Sequence, residues 1–223
     1  ASVDPLLKRT ETDYDPLNRP TVTRFAVTTT GQVNTAYGSA QNFYTSTGFK
    51  WKVQDQLGRV TEMEHDAAGR SVYSISPSVA WSGPVPMPSR AAGSGQAYPV
   101  TQSLYDAAGN VAATINALGK RWDYTYDVRN RKVSELQPAV VNASSSSSTP
   151  VRPKSQIEYD AAGNAIKVTD ARGNSSYTFY DAAYRPVRVQ APAVYDPVSQ
   201  LQKRPETVSS HDHAGGLPGE NHL

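Results

Sequence analysis

The sequence predicts an all-β chain, an antiparallel β-meander built from repeats. Three observations carry this. Tyr is abundant at 13 against 4 Phe and 3 Trp; Tyr, Val and Thr suit a pleated, half-buried surface, and no long stretch keeps a helical period. Turn-forming clusters recur every 10–11 residues, the rhythm of short antiparallel strands. The hexapeptide YDAAGN stands at both 105–110 and 159–164. Its relatives are YDPLNR at 14–19, HDAAGR at 65–70, YDVRNR at 126–131 and YDAAYR at 180–185.

The repeat can be aligned without gaps. With an offset of 54, segments 105–141 and 159–195 agree at 15 of 37 positions, among them Tyr105/Tyr159, Gly119/Gly173, Arg131/Arg185 and Pro138/Pro192. A third copy lies 61 residues earlier, with Tyr44 on Tyr105, Gly58 on Gly119 and His65 on Tyr126. The approximate units of this single repeat region are 1–43 (partial), 44–104, 105–158, 159–210 and 211–223 (partial).

One unit reads as strand, turn, strand throughout. VTQSLY at 100–105 alternates and enters the turn DAAGN. There Asp106 is placed to accept backbone N–H bonds two or three residues on, and Gly109 supplies the positive φ of a type I turn with a G1 bulge. VAATI at 111–115 returns, and NALG at 116–119 turns again with Asn116 in the place of Asp. RWDYTY at 121–126 aligns Trp122, Tyr124 and Tyr126 on one face. In the next turn Asn130 tolerates the left-handed conformation. RKVSELQP at 131–138 is the last strand, and Pro138 ends it. The irregular segments 78–98, 139–153 (with the run Ser144 to Ser148) and 192–206 vary in length and read as surface loops or excursions.

Bulk properties exclude several classes. The net charge of +2, from 22 basic and 20 acidic residues, gives no field that argues for nucleic acid. The absence of cysteine excludes disulfides, thiolate chemistry and Cys-bound zinc. No apolar run approaches a membrane span. The chain starts at Ala1 without Met, which reads as a processed product or an excised fragment.

A Tyr-Asp-x-x-Gly-Arg/Asn motif recurring in register over residues 10–216 resembles the YD repeats of the RHS family. That family includes RHS polymorphic toxins, the B and C components of insecticidal toxin complexes and the YD shell of teneurins. The resemblance implies a curved sheet spiralling into a hollow cocoon around a toxin effector. Its partners would be the remaining shell segments and the enclosed effector. Its location would be outside the producing cell, by secretion or a bacterial delivery system, or at a cell surface. The tail HDHAGGLPGENHL does not match the family's C-terminal self-cleaving core, so neither self-cleavage nor a complete capsule is expected of this chain. A β-propeller is the alternative fold, since four strands per unit of roughly 50 residues also suits a blade.

Candidate chemistry reads as architecture. Asp66, Asp106, Asp127, Asp160 and Asp181, one per turn, cap turns and do not cluster as calcium ligands do. His211, Asp212 and His213, with His222 nearby, suggest metal, but His211-Asp212 falls in repeat register, where His replaces Tyr as at His65. Residues 93–95 (GSG) lack the strand–turn–helix context of a phosphate loop, and no Gly-x-Ser-x-Gly elbow is present. Arg59, Arg70, Arg131 and Arg185 read as paired or solvated. Trp122, Tyr124 and Tyr126, taken with Tyr177 and Phe179, form an aromatic stripe that suits either cross-strand packing or sugar binding. The expectation is a non-enzymatic chain with no catalytic, metal or cofactor site. It is a shell segment, or alternatively a module binding cell-surface carbohydrate or protein.

Overall fold

The computed structural model describes residues 2–3, 9–27, 38–93, 95–141 and 150–209. All regular structure among them is β. The strands are β1 Ser2–Val3, β2 Arg9–Tyr14, β3 Pro20–Val27, β4 Ser39–Tyr44, β5 Lys50–Gln54, β6 Val60–His65 and β7 Ser71–Ile75. They continue with β8 Val79–Ala80, β9 Arg90–Gly93, β10 Gln96–Tyr98, β11 Val100–Tyr105, β12 Val111–Ile115, β13 Arg121–Tyr126 and β14 Lys132–Leu136. The last are β15 Lys154–Tyr159, β16 Ala165–Thr169, β17 Ser175–Tyr180, β18 Pro186–Gln190, β19 Val194–Asp196, β20 Leu201–Lys203 and β21 Glu206–Val208. The four strands expected between 100 and 138 are all present.

The chain forms two compact units, Ala1–Leu104 with Thr114–Lys120, and Tyr105–Ala113 with Arg121–Leu223. In the first, the antiparallel order is β1-β2-β3-β4-β5-β6-β7-β11. In the second it is β13-β14-β15-β16-β17-β18-β21. Each is a run of antiparallel strands in chain order, longer than a four-stranded blade, so the propeller alternative is set aside.

The two edges of each run differ. In the first unit, turns 15–19, 45–49 and 66–70 share one edge, and turn 55–59 and the excursion 76–99 share the other. In the second unit, turns 106–110, 127–131, 160–164 and 181–185 share one edge, opposite 137–141 with 150–153, 170–174 and 191–205. At the first kind of edge the ladder slips by one residue at the motif aromatic: at Tyr14, Tyr44, His65, Tyr126, Tyr159 and Tyr180. At the other, the hairpins β5–β6 and β16–β17 pair without a slip. A bulge bends its strand and increases local twist.

The irregular segments carry more structure than loops. Residues 78–98 hold a three-stranded sheet of order β8-β10-β9, and 192–206 hold the hairpin β19–β20. Their short strands lack the period-2 pattern that would reveal them. Residues 78–98 fold over one face of the first unit: Arg90 pairs with Glu64 at 2.8 Å and lies over the Tyr73 ring. The Ser89 hydroxyl donates to the Ala117 carbonyl and accepts from the Val100 amide. Burial is otherwise shallow. Among the described residues only Ile75, Ala97, Val100 and Ala113 are buried hydrophobics. Order therefore rests on backbone ladders and turn contacts more than on a thick core.

Candidate functional site: the turn ladder

Each motif turn closes in the same way. In 106–110 the Gly109 amide donates to the Asp106 carbonyl at 3.1 Å and the Asp106 amide to the Asn110 carbonyl at 2.9 Å. Gly109 has φ +89°, as the type I turn with G1 bulge requires. Asn18 and Asn130 take the same left-handed position in their turns, and so does Tyr184. The capping geometry keeps the expected bond two residues on and adds one four residues on. The carboxylate Oδ1 of Asp15, Asp55, Asp66, Asp127, Asp170 and Asp181 accepts amides two and four residues on. Asp160 Oδ1 also accepts the Gly163 amide, three residues on. The five-residue loop turns the second and fourth amides inward together.

The sixth motif residue completes the cap. Its side chain bonds the second carboxylate oxygen of the turn Asp. Arg59, Arg70, Arg131 and Arg185 do so at 2.7, 2.7, 2.7 and 2.8 Å, and Asn110 and Asn164 at 3.1 and 2.8 Å. Hydrogen bonds from the Arg70 and Arg131 side chains hold the Asp66 and Asp127 carboxyls below the ordinary carboxylate value. Every turn Asp is thus spent on its own turn. Among the described residues no group of three His, Asp or Glu assembles as a metal site. His211, His213 and His222 lie outside the described residues.

The motif aromatic links one turn to the one before it. The hydroxyls of Tyr44, Tyr126, Tyr159 and Tyr180 donate at 3.0–3.1 Å to the carbonyls of Pro20, Val111, Lys132 and Ala165. Each acceptor is the first residue after the preceding motif turn. The sixth residue makes the same step forward. The Arg19 guanidinium lies 4.5 Å from the Tyr44 ring centroid, and that of Arg131 lies 4.4 Å from Tyr159. Their Nη1 atoms stand where a Cβ on Gly48 or Gly163 would be 3.5 or 3.4 Å away. Between turns 45–49 and 66–70 the chemistry changes and the arrangement holds. Thr45 replaces Asp, Phe49 replaces Arg and His65 replaces Tyr; Phe49 stacks on His65 at 5.5 Å and covers the Cα of Gly69.

The aromatic stripe is corrected. Residues opposite in an antiparallel ladder share a face. Tyr124 opposes Glu135, which opposes Ser155. The same face continues through Ile157 and Val168 to Ser176 and Thr178. Tyr177 and Phe179 point to the other face, opposite Lys167 and Arg188. The offset of 54 contains this result, since it places Tyr177 and Phe179 on Asp123 and Thr125. Their rings carry Arg204 and Arg188, at 4.9 and 3.9 Å from the centroids.

A second recurring element escaped the motif reading. Each excursion closes at its base by an amide-to-proline-carbonyl bond of 2.8 Å: Ser76 to Pro99, Gln137 to Pro153 and Ala191 to Pro205. The spacings of 54 and 52 between Pro99, Pro153 and Pro205 are its signal. Two arginines before these prolines clamp the excursion. Arg152 donates to the Gln137, Arg121 and Leu136 carbonyls and pairs with Asp123. Arg204 donates to the Ser175 and Ala191 carbonyls.

These turns, ladders and clamps define an all-β protein of repeated antiparallel hairpins. Residues 105–139 and 159–193 match the family model of the RHS repeat, so the chain carries RHS repeats where the two best-aligned copies were read. No curated protein matches the sequence. Over 94% of its length the chain is similar in fold to the crystal structure of TcdB2-TccC3, at 17% identity and a TM-score of 0.59. It is similar over the same share to TcdB2-TccC3-Cdc42 (16%, 0.53) and TcdB2-TccC3-TEV (15%, 0.53). The chain spans 11% of the length of each of those chains.

Proposed function

We propose that this chain is a structural segment of an RHS/YD-repeat shell that encapsulates or presents a toxin effector. The observation that carries the reading is the one-sided bulge. Six hairpins slip at the motif aromatic on one kind of edge, while the two hairpins compared at the opposite edge do not. Bulging one side of a sheet at every hairpin favours curvature, which a wall around a cargo needs. The motif residues are engaged in holding turns together, which supports a structural, non-enzymatic role. The fold likeness to the TcdB2-TccC3 structures supports it further. On this reading its partners are flanking shell segments and the effector, and it acts outside the producing cell after secretion or delivery.

Protease protection tests it. The polypeptide that carries this chain, with its own C-terminal region, is compared with a version lacking residues 105–158. The C-terminal region is expected to resist proteinase K in the first and to be digested in the second. Equal digestion in both refutes the shell reading. Glycan binding by the Trp122 stripe gains no observation, because the stripe is split between faces and the Tyr177 and Phe179 rings carry arginines.

A further inference from the structure

We propose that the Phe179–Arg188 pair across β17 and β18 docks an acidic peptide segment, laid over its face as residues 78–98 lie over the first unit. The repeat sets three cross-strand rows at one position. Glu64 opposes Tyr73, which opposes Gln102. Thr125 opposes Ser134, which opposes Gln156. Phe179 opposes Arg188, which opposes Val208. The offsets of 61 and 54 relate the first two members of each row.

The first row shows what such a position receives. The excursion brings Arg90 to it: Nη1 meets Glu64 at 2.8 Å, and the guanidinium carbon lies 5.5 Å from the Tyr73 ring centroid. A cation from a covering segment thus completes a carboxylate–aromatic pair. The second row closes on itself, with the Thr125 and Ser134 hydroxyls 2.6 Å apart and Ser134 buried.

The third row inverts the first. An aromatic stands beside a cation, and no carboxylate reaches them. The Arg188 guanidinium carbon lies 3.9 Å from the Phe179 ring centroid. Among the described residues Arg188 has no hydrogen-bond or ion-pair partner. Glu158 and Glu206 share this face, but Glu158 holds Lys167 at 2.7 Å and Glu206 holds Gln190 at 3.1 Å. Arg204, over the Tyr177 ring two residues along β17, adds a second cation.

A guanidinium stacked on a ring keeps its N–H fork free, and a carboxylate takes that fork with two parallel bonds. Phosphate would satisfy the fork alone. Phe179 and Val208, 37% and 69% exposed in the same row, call for apolar groups beside the acid, which a peptide segment supplies. The site stands whether or not the chain walls a cargo.

The probe is a synthetic peptide of residues 84–98 carrying Arg90→Glu, the covering segment of the first row with its charge inverted to match the third. It is titrated into the whole 15N-labelled chain, and the Arg188 Nε–Hε resonance is followed. A saturating shift in the millimolar range is expected. The unmodified peptide should bind about tenfold more weakly or worse. Arg188→Gln should weaken the acidic peptide by about tenfold with an unchanged thermal midpoint. Arg172→Gln, at an exposed arginine of turn 170–174, should leave it unchanged. No saturating shift, equal binding of the two peptides, equal affinity in Arg188→Gln, an equal loss in Arg172→Gln, or inorganic phosphate binding as tightly as the acidic peptide overturns the proposal.

Discussion

Replacing Gly69 by Ala separates the two roles that glycine has in the motif. At Gly173, on the excursion edge, φ is +86° and an added Cβ meets nothing within 4 Å. Gly173→Ala therefore costs only the left-handed backbone, about 1–2 kcal/mol. At Gly69, φ is +78° and the Cβ would stand 2.2 Å from two ring atoms of Phe49. The ring must leave, which adds overpacking of about 1–3 kcal/mol and the lost stack on His65, about 0.5–1.5 kcal/mol. Gly69→Ala is expected to cost ~4 kcal/mol, clearly more than its counterpart. Urea unfolding followed by tyrosine and tryptophan fluorescence reads the difference as a shift in midpoint at constant slope. A cycle with Phe49→Ala sharpens it: without the ring, Gly69→Ala should cost no more than Gly173→Ala. Equal losses for the two glycines in the parent would mean that contacts between successive turns carry no energy.

Tyr184 holds φ +62° where Asn18 and Asn130 occupy the same turn position. Tyr184→Asn should stabilise the chain by ~0.5–1 kcal/mol, measured by thermal unfolding; a loss of stability would count against strain there. The turn carboxyls are held below the ordinary value, so each contributes stability above the unfolded pKa and loses it as pH falls through the lower folded value. Stability should stay level above about pH 5 and fall steeply below about pH 4. Asp127→Asn should make that fall shallower, and identical profiles would refute the assignment. Asp196 is held down at about 2, chiefly by Lys203 and then Ser199, so its bonds within the β19–β20 hairpin should persist below the ordinary carboxylate range. Arg152→Ala should speed amide exchange at Gln137 by about tenfold or more by freeing the excursion it clamps; unchanged exchange would show that the proline bond suffices alone.

The strands were legible in the sequence because turn chemistry announces itself locally. Asp or Asn followed by Gly at fixed spacing fixes where the chain reverses, and the alternation between turns does the rest. The left-handed Asn130 followed from the same logic. The pairing of Arg59, Arg70, Arg131 and Arg185 was legible only as paired or solvated, because the partner is set by the loop's inward-facing geometry. The excursion strands β8, β9, β10, β19 and β20 were not legible, since they are too short to show a period. The arginine and proline clamp was missed for a different reason. Pro99, Pro153 and Pro205 hold the repeat spacing, but they sit at the ends of segments that vary in length. Reading Tyr177 and Phe179 onto the Trp122 face ignored the repeat's own register, which assigns them to the face of Asp123.

The turns 45–49 and 66–70 show which unit the repeat preserves. Taken one by one, Thr45 for Asp, Phe49 for Arg and His65 for Tyr are three departures from the motif. Taken together they are one substitution of chemistry. A charged cap beneath a cation–aromatic contact becomes a hydroxyl cap beneath a ring–ring stack. Arg19 needs both the Asp15 carboxylate below and the Tyr44 ring above. Phe49 needs neither a carboxylate nor a hydroxyl, only a flat partner and a bare Cα at Gly69. Exchanging one member alone would strand the others. Phe49→Arg would set a guanidinium beside Thr45 with no carboxylate to hold it. The rung between successive turns is therefore the smallest piece of this sequence that can be changed coherently. Motif positions that look independent along the chain are coupled across it.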